Sequence, residues 1–338
     1  MAHRMSARNH QGIKLMPRVT VILTTYNRLN YLKKAIDSVL NQTFKDFELI
    51  ILDNASPDET DEYVKSLLDE RIIYIRNPEN IGAMNNGLKA FDLIRNNIKS
   101  EFVSLFHDDD IMKPTLLEKE IYIFEQNESI VLVGSNVELI NENGLQLEKK
   151  LMNIKNDILF GRYEYIDTFL SKNIFLPCST VMIKRAFIVD NKISIKPEIG
   201  PAVDTFLWFE INILDRKLYL IHDPLLKYRI HNNQDSQINF LKRIELFYKG
   251  TINFLIVNKL KYLIPLLKRH LTKVIVLSLS KQLCRNNISK SQYIKAIEYY
   301  IDENILEERI NVKSKAIMCV AKFSPEVLRA IFYLQNVL

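Results

Sequence analysis

The sequence predicts an α/β fold: a mostly parallel sheet flanked by helices, followed by an all-helical C-terminal region. Three observations predict it. Between residues 18 and 106, short β-branched runs alternate with stretches whose apolar residues recur every three or four positions. That alternation is the mark of right-handed strand–helix–strand crossovers. Two of the runs end directly in acids, at Asp53 and at Asp108-Asp109-Asp110, so carboxylates gather at one sheet edge. From Phe240 onward the apolar pattern is helical, with no further strand.

Taken in order, Arg18 to Thr24 (R-V-T-V-I-L-T) is the first strand. Asn30 is placed to cap a helix that carries Leu32, Ala35, Ile36, Val39 and Leu40 on one face. Phe47 to Leu52 is the second strand and ends on Asp53. A loop from Asn54 to Asp58 leads to a helix ending near Leu68, and Ile72 to Ile75 is the third strand. Ile81 to Asn96 is helical, and Phe102 to Phe106 is a fourth, buried strand that runs into the acidic triplet. Beyond it, Pro114 to Gln126 reads as helix and Ile130 to Val133 as strand, while 138–172 has no decisive pattern. Phe175 to Ile183, Tyr219 to Ile221 and Leu225 to Ile230 read as strands, with a helix from Thr205 to Arg216 among them.

Composition narrows the classes. At 47% hydrophobic and 25% charged, the 338 residues can bury a real core. Only 8 glycines argues against Gly-rich phosphate loops and against an all-β design. Cys178, Cys284 and Cys319 are too scattered for a disulfide framework or a zinc site. No apolar run approaches the ~18 residues that span a bilayer. Met1 to Met16 is basic without a hydrophobic segment, so it reads as a disordered leader, not a signal peptide. The expected location is the cytoplasm, with at most a peripheral place on the inner face of the plasma membrane.

Three adjacent carboxylates repel one another, and burial makes that worse. A divalent cation resolves the conflict, and an oxygen donor set favours Mn²⁺ or Mg²⁺ over zinc. The competing reading is a solvated acidic loop at the start of the helix that Pro114 begins. A dinucleotide fold needs glycines after the first strand, but Thr24-Thr25-Tyr26-Asn27-Arg28 has none, and a P-loop is excluded for the same reason.

Five segments in order then carry a resemblance: V-T-V-I-L-T-T-Y-N-R (19–28), Q-T-F (42–44), I-L-D-N-A-S-P-D-E-T (51–60), N-P-E-N-I-G-A-M-N-N-G-L (77–88) and F-H-D-D-D-I-M-K-P (106–114). Together they resemble the nucleotide-sugar-binding half of family-two glycosyltransferases, which have the Rossmann-like GT-A fold. The resemblance implies that Thr25, Tyr26 and Arg28 lie beside the nucleotide and that Asp53 binds its base or ribose. It implies that Asn80, Gly82 and Asn86 flank the donor. The triplet becomes the metal-binding DXD element, with His107 standing where the family often has its first acid. Asp109 is then the foremost direct ligand, with Asp108 and Asp110 beside it, Asp108 also near the donor.

The second half resembles the family less densely. Pro201-Ala202-Val203-Asp204-Thr205-Phe206-Leu207-Trp208 matches the acceptor-side acid before a Trp-bearing helix, with Val203 where Glu is usual. Asp204 is therefore the expected catalytic base, although Asp also suits a helix N-cap. Tyr228-Arg229-Ile230-His231 is similar to the family's Y-R-x-H element, which makes His231 a metal or diphosphate contact with Arg229 near the donor. A single displacement with one base implies inversion at the sugar.

The expected organisation is a leader at 1–16, a catalytic domain at 17–238 and a helical region at 239–338. The catalytic domain divides into a nucleotide-sugar half (17–116) and an acceptor half (117–238). Between Lys242 and Lys295 there are twelve Lys and Arg but one acid, Glu245. Two readings stay open for 240–295: packing on the catalytic domain or on a second subunit, and peripheral contact with an anionic membrane. No nucleic-acid module is visible. The expected activity is metal-dependent, inverting transfer from a nucleotide-sugar donor, a UDP-sugar, to a glycan or lipid-linked acceptor. The rivals are a dTDP-rhamnose or GDP-sugar donor, and a non-catalytic sugar-nucleotide-binding scaffold.

Overall fold

The computed structural model describes residues 16–197, 203–231 and 240–302 except 286, with the isolated positions 305, 318 and 321. The leader up to residue 15, Pro201 and Ala202, the 232–239 stretch that closes the expected catalytic domain, and Cys319 lie outside the described residues. The chain divides into two compact units: 1–166 with 174–197 and 203–238, and 167–173 with 198–202 and 239–338.

The larger unit opens with β1 (Val19–Thr25), α1 (Leu29–Leu40), β2 (Phe47–Asp53), α2 (Thr60–Ser66), β3 (Ile72–Arg76), α3 (Ala83–Asn96) and β4 (Phe102–His107). These four strands pair in parallel in the order β3-β2-β1-β4, as the alternation predicts. β1 and β2 are buried almost throughout because helices cover both faces. The register places Thr25 opposite Asp53 and Thr24 opposite His107. Three strands therefore end level, and the residues that follow them share one edge, the place where open α/β sheets bind ligands.

Then come β5 (Ile111–Met112), α4 (Leu116–Gln126), β6 (Ile130–Ile140), β7 (Ile158–Phe160), α5 (Glu164–Lys172), β8 (Met182–Lys184), α6 (Arg185–Asp190), α7 (Val203–Ile213) and β9 (Lys217–Arg229). β8 runs antiparallel between β4 and β6, and β9 lies parallel to β6, so this half of the sheet is mixed. A buried cluster from β1, β2, β4, α1, α4 and β6 fills one face, with Leu23, Ile36, Phe102, Leu117 and Val133 among its members.

Several elements differ from the sequence reading, each for a local reason. α1 begins at Leu29, so Asn30 sits inside its first turn; Asp58 Oδ2, from the loop after β2, accepts the Leu29 N–H at 3.1 Å instead. α4 starts two residues after Pro114, whose carbonyl is engaged by the Thr43 N–H at 2.8 Å. The expected strand at 175–183 is mostly a tight turn: Pro177 lacks a donor, and its carbonyl accepts from Thr180 N–H and Oγ1, so that the strand is confined to Met182–Lys184. The strands expected at 219–221 and 225–230 are one strand, β9, whose pairing with β6 shifts register around Asn136 and Pro224. A bulge is where a strand tolerates proline.

In the smaller unit, α8 (Phe240–Val257), α9 (Ile264–Cys284) and α10 (Lys290–Asp302) follow one another. α9 packs against both α8 and α10. Leu255, Leu267, Ile275, Val276 and Leu279 are fully or almost fully buried there.

Candidate active site

The level strand ends bring Thr25, Tyr26 and Arg28 against the acidic triplet. Asp108 is 3% exposed, and its Oδ2 accepts the Thr25 hydroxyl at 2.7 Å and the Tyr26 N–H at 3.4 Å. Arg28 Nη1 bridges Asp108 Oδ1 at 3.2 Å and Asp109 Oδ2 at 3.1 Å. His231 Nε2 meets the same Asp109 oxygen at 3.0 Å, and its ring lies beside Tyr31. Asp110 Oδ1 accepts the Arg229 N–H at 2.9 Å.

Charge explains the titration of the triplet. Burial, followed by repulsion from Asp109, lifts Asp108 to about 6 and Asp110 to about 7. Asp109 is buried too, but the His231 hydrogen bond, with His107 and Arg28, outweighs that and holds it below its ordinary value. His107, at the end of β4, keeps solvent exposure while hydrogen-bonding Cys178. Desolvation would lower its imidazole; Cys178, Asp109 and Asp110 raise it.

The donor set fits a divalent cation. One ligand atom from each of His107, Asp109 and Asp110 lies within 4.8 Å of the others. Asp110 Oδ2 is buried without a hydrogen-bond partner among the described residues, the state of a carboxylate that lacks its counter-charge.

The other expected residues are held in hydrogen-bond networks of their own. Asp53, expected at the base or ribose, is fully buried. Its Oδ1 accepts Ser56 N–H at 2.9 Å and Oγ at 2.6 Å, and its Oδ2 accepts the Tyr74 hydroxyl at 2.7 Å. It thus pins the loop after β2 to the neighbouring strand. Arg229, expected beside the donor, is also fully buried; Nε donates to the Asp109 carbonyl at 2.8 Å and Nη1 to the Asn141 and Glu142 carbonyls at 3.0 and 3.1 Å. It clamps the backbone of the acidic turn.

Asn80, Gly82 and Asn86 join a network of amides. Asn54 Nδ2 donates to Asn80 Oδ1 at 2.7 Å, which also accepts the Gly82 N–H, and Asn77 Nδ2 reaches Asn86 Oδ1 at 2.9 Å. Gly82 begins α3 with φ 82°, a conformation that favours glycine. Asp204 lies in the first turn of α7, inside the helix, and its Oδ1 accepts the Thr205 N–H at 2.8 Å. Burial, then the charges of Asp110, Asp109 and Asp204, push the Tyr228 hydroxyl up, so Asp204 acts on the same phenol as Asp109 and Asp110. Tyr228, Cys178 and Asn54 are the residues the sequence reading does not single out. Tyr228 stands inside the Y-R-x-H element and Asn54 directly after Asp53, which is the only signal either gives.

This fold and site match a known class. The profile of glycosyl transferase family 2 covers residues 20–189, and the chain belongs to that family; it is a glycosyltransferase with the GT-A fold. An uncharacterized glycosyltransferase of Methanocaldococcus jannaschii is 31% identical over 242 residues, 70% of this chain and 78% of that protein. One from Haemophilus influenzae is 30% identical over 66% of this chain and 68% of its own length. Among solved structures, S. aureus TarS 1–349 in complex with UDP-GlcNAc superposes with a TM-score of 0.64 at 16% identity, covering 94% of this chain and 92% of that one. The mannosyltransferase PcManGT from Pyrobaculum calidifontis, in complex with GDP-Man and Mn²⁺, gives 0.50 at 14% identity, covering 95% and 88%.

Proposed function

We propose that this glycosyltransferase is metal-dependent and inverting, and that it moves a sugar from a UDP-sugar to a hydroxyl of a glycan or lipid-linked glycan, as in surface polysaccharide synthesis. The observation that carries the reading is the common edge: Thr25, Arg28, the triplet and His231 meet there through the register of three parallel strands. TarS, solved with UDP-GlcNAc, supports the donor class.

Thr25, Tyr26 and Arg28 line the donor, and Asn80, Gly82 and Asn86 shape the loop beside it. His107, Asp109 and Asp110 would hold Mn²⁺ or Mg²⁺. That ion supplies Lewis-acid stabilisation of the departing diphosphate, so no protonating side chain is needed. Asp204 takes the proton of the acceptor hydroxyl as that oxygen attacks the anomeric carbon from the opposite face. One displacement inverts the configuration. The basic helices at 240–295 are assigned to an anionic membrane surface, which puts the enzyme on the cytoplasmic face; a second copy of the chain is the competing occupant.

The test is nucleotide-diphosphate release from a panel of nucleotide sugars with Mn²⁺, for the wild type and Asp204→Asn. Loss of a general base should slow turnover by about 10²–10⁴. Unchanged release in Asp204→Asn removes it as the base. Release only from GDP- or dTDP-sugars changes the donor, and thermal stabilisation by a nucleotide sugar without any release leaves a binding scaffold.

A further inference from the structure

We infer that Lys196 is a positioning residue for Asp204, and that the segment 193–197 ties α7, which carries that acid, to the donor-side helix α3. This rests on the reading of Asp204 as the base and adds how its helix is held.

One end of the tie lies on α3. Arg185 Nε, at the start of α6, donates to the Ile94 carbonyl at 3.0 Å, and Arg95 Nη1 donates to the Ile193 carbonyl at 3.5 Å. Ile193 and Ile195 are both buried. A Cβ placed on Gly87 would stand 3.2 Å from Ile195 Cδ1, a closer approach than carbon contacts commonly make. Glycine inside a helix costs stability relative to alanine, so Gly87 in α3 needs a reason, and the seat it leaves for Ile195 supplies one. Gly87 directly follows Asn86, whose side chain accepts from Asn77 and donates to the Leu52 carbonyl beside the donor loop.

The other end lies on α7. Lys196 Nζ pairs with Glu210 Oε1 and stands 5.7 Å from the centroid of the Phe206 ring. These partners are four residues apart on one face of the helix, so a single ammonium holds both. Trp208 fixes α7 from within: it is fully buried, and its Nε1 donates to the Leu176 carbonyl at 3.1 Å. Asp204 sits in the first turn of α7, two residues before Phe206. A general base must meet its proton at hydrogen-bond distance, so a small drift of that turn lowers the rate. An ion pair whose lysine is 45% exposed contributes little to stability. Its loss is therefore felt in the placement of Asp204 and hardly in the melting temperature.

Amide hydrogen exchange of the full-length protein reads the tie without any substrate. In Lys196→Met, exchange across 203–210 should rise about threefold or more, while α1 and α4 keep their protection. The melting temperature should move by no more than about 2 °C. Lys196→Arg, which keeps the charge and the ring contact, should restore protection. Gly87→Leu, a change on α3, should also raise exchange across 203–210. Adding Ile195→Ala should reverse that rise, because the leucine fills the vacated volume; Gly87→Ala makes the same comparison if Gly87→Leu does not fold. With UDP-GlcNAc and Mn²⁺, Lys196→Met should slow UDP release about tenfold and leave the donor KM within about twofold. Unchanged exchange across 203–210 in Lys196→Met or in the folded Gly87 variant overturns the tie. Raised exchange with unchanged release, where Asp204→Asn abolishes release, overturns the positioning role. Raised exchange with release that Asp204→Asn does not alter keeps the tie and removes Asp204 as the base.

Discussion

Glu120, on α4, is fully buried, and neither of its carboxylate oxygens has a hydrogen-bond partner among the described residues. Burial alone raises its pKa well above the ordinary glutamate value. The sign follows from linkage: an acid whose folded pKa is raised contributes fully below its unfolded pKa of 4.5, and that contribution is lost as pH rises through the folded value. Glu120→Met, which keeps the volume and removes the polar atoms, should therefore stabilise the protein at pH 8, by about 1–3 kcal/mol. The gain should shrink as the pH falls toward 5. Thermal melts of both proteins across that range read it directly; a methionine variant less stable at pH 8 would mean that the carboxylate has an unseen partner. At this scale the sequence is a partial guide: helical spacing puts Glu120 one turn after Leu116 and Leu117 on the buried face, unlike the exposed Glu118, but gives no sign of the carboxylate's partners. Asp53 teaches the same lesson from the other side. Its place at a strand end is legible, but its hydrogen bonds to Ser56 and Tyr74 depend on how a loop and a neighbouring strand return to it.

Among elements, the four parallel strands are the legible part, because each is a short, mostly apolar run and the first three are each followed by a helix within the same short segment. β8 is not legible. Its three residues acquire strand geometry only between β4 and β6, whose sequences are remote, and the turn at Pro177 interrupts the apolar run before it. β9 conceals its length for a related reason: Asp223-Pro224 reads as a break, yet the bulge against β6 absorbs it. The start of α1 depends on Asp58, which lies in the loop after β2 and accepts the Leu29 N–H with Oδ2 and the Thr60 N–H with Oδ1, at 3.1 and 3.3 Å. One side chain thus serves the beginnings of two helices. Asp58→Ala should cost about 1–2 kcal/mol in denaturant unfolding, with the slope against denaturant unchanged. A loss below a few tenths would show that water replaces it.

At the scale of the whole molecule, the chemistry and the surface charge fall in different units. The site residues belong to the larger unit, whereas from Leu246 to Ile297 the chain has no acidic residue at all. Between α8 and α9, Ile256, Val257 and Tyr262 are 42, 69 and 65% exposed, flanked by exposed Lys259 and Lys261. No helix among the described residues is long and apolar enough to cross a membrane. The membrane contact proposed above is expected at this turn, where apolar side chains enter the interface and lysines meet anionic headgroups. Flotation with phosphatidylserine vesicles should recover the wild type. Val257→Asp with Tyr262→Asp should reduce the bound fraction severalfold at about 1 kcal/mol per charge, and neutral vesicles should retain little of either. A wild type that ignores anionic vesicles, yet forms dimers sensitive to the same pair of changes, would assign the turn to a second copy.

Arg229 joins the acidic turn to β9 across 120 positions of chain. Contacts this distant in sequence are slow to form, because the intervening loop must close first. During synthesis the parallel half of the sheet can therefore be complete while the carboxylates beside it still lack their final arrangement. Maturation of the pocket waits for β9, and until then the nascent protein holds a scaffold without a working centre.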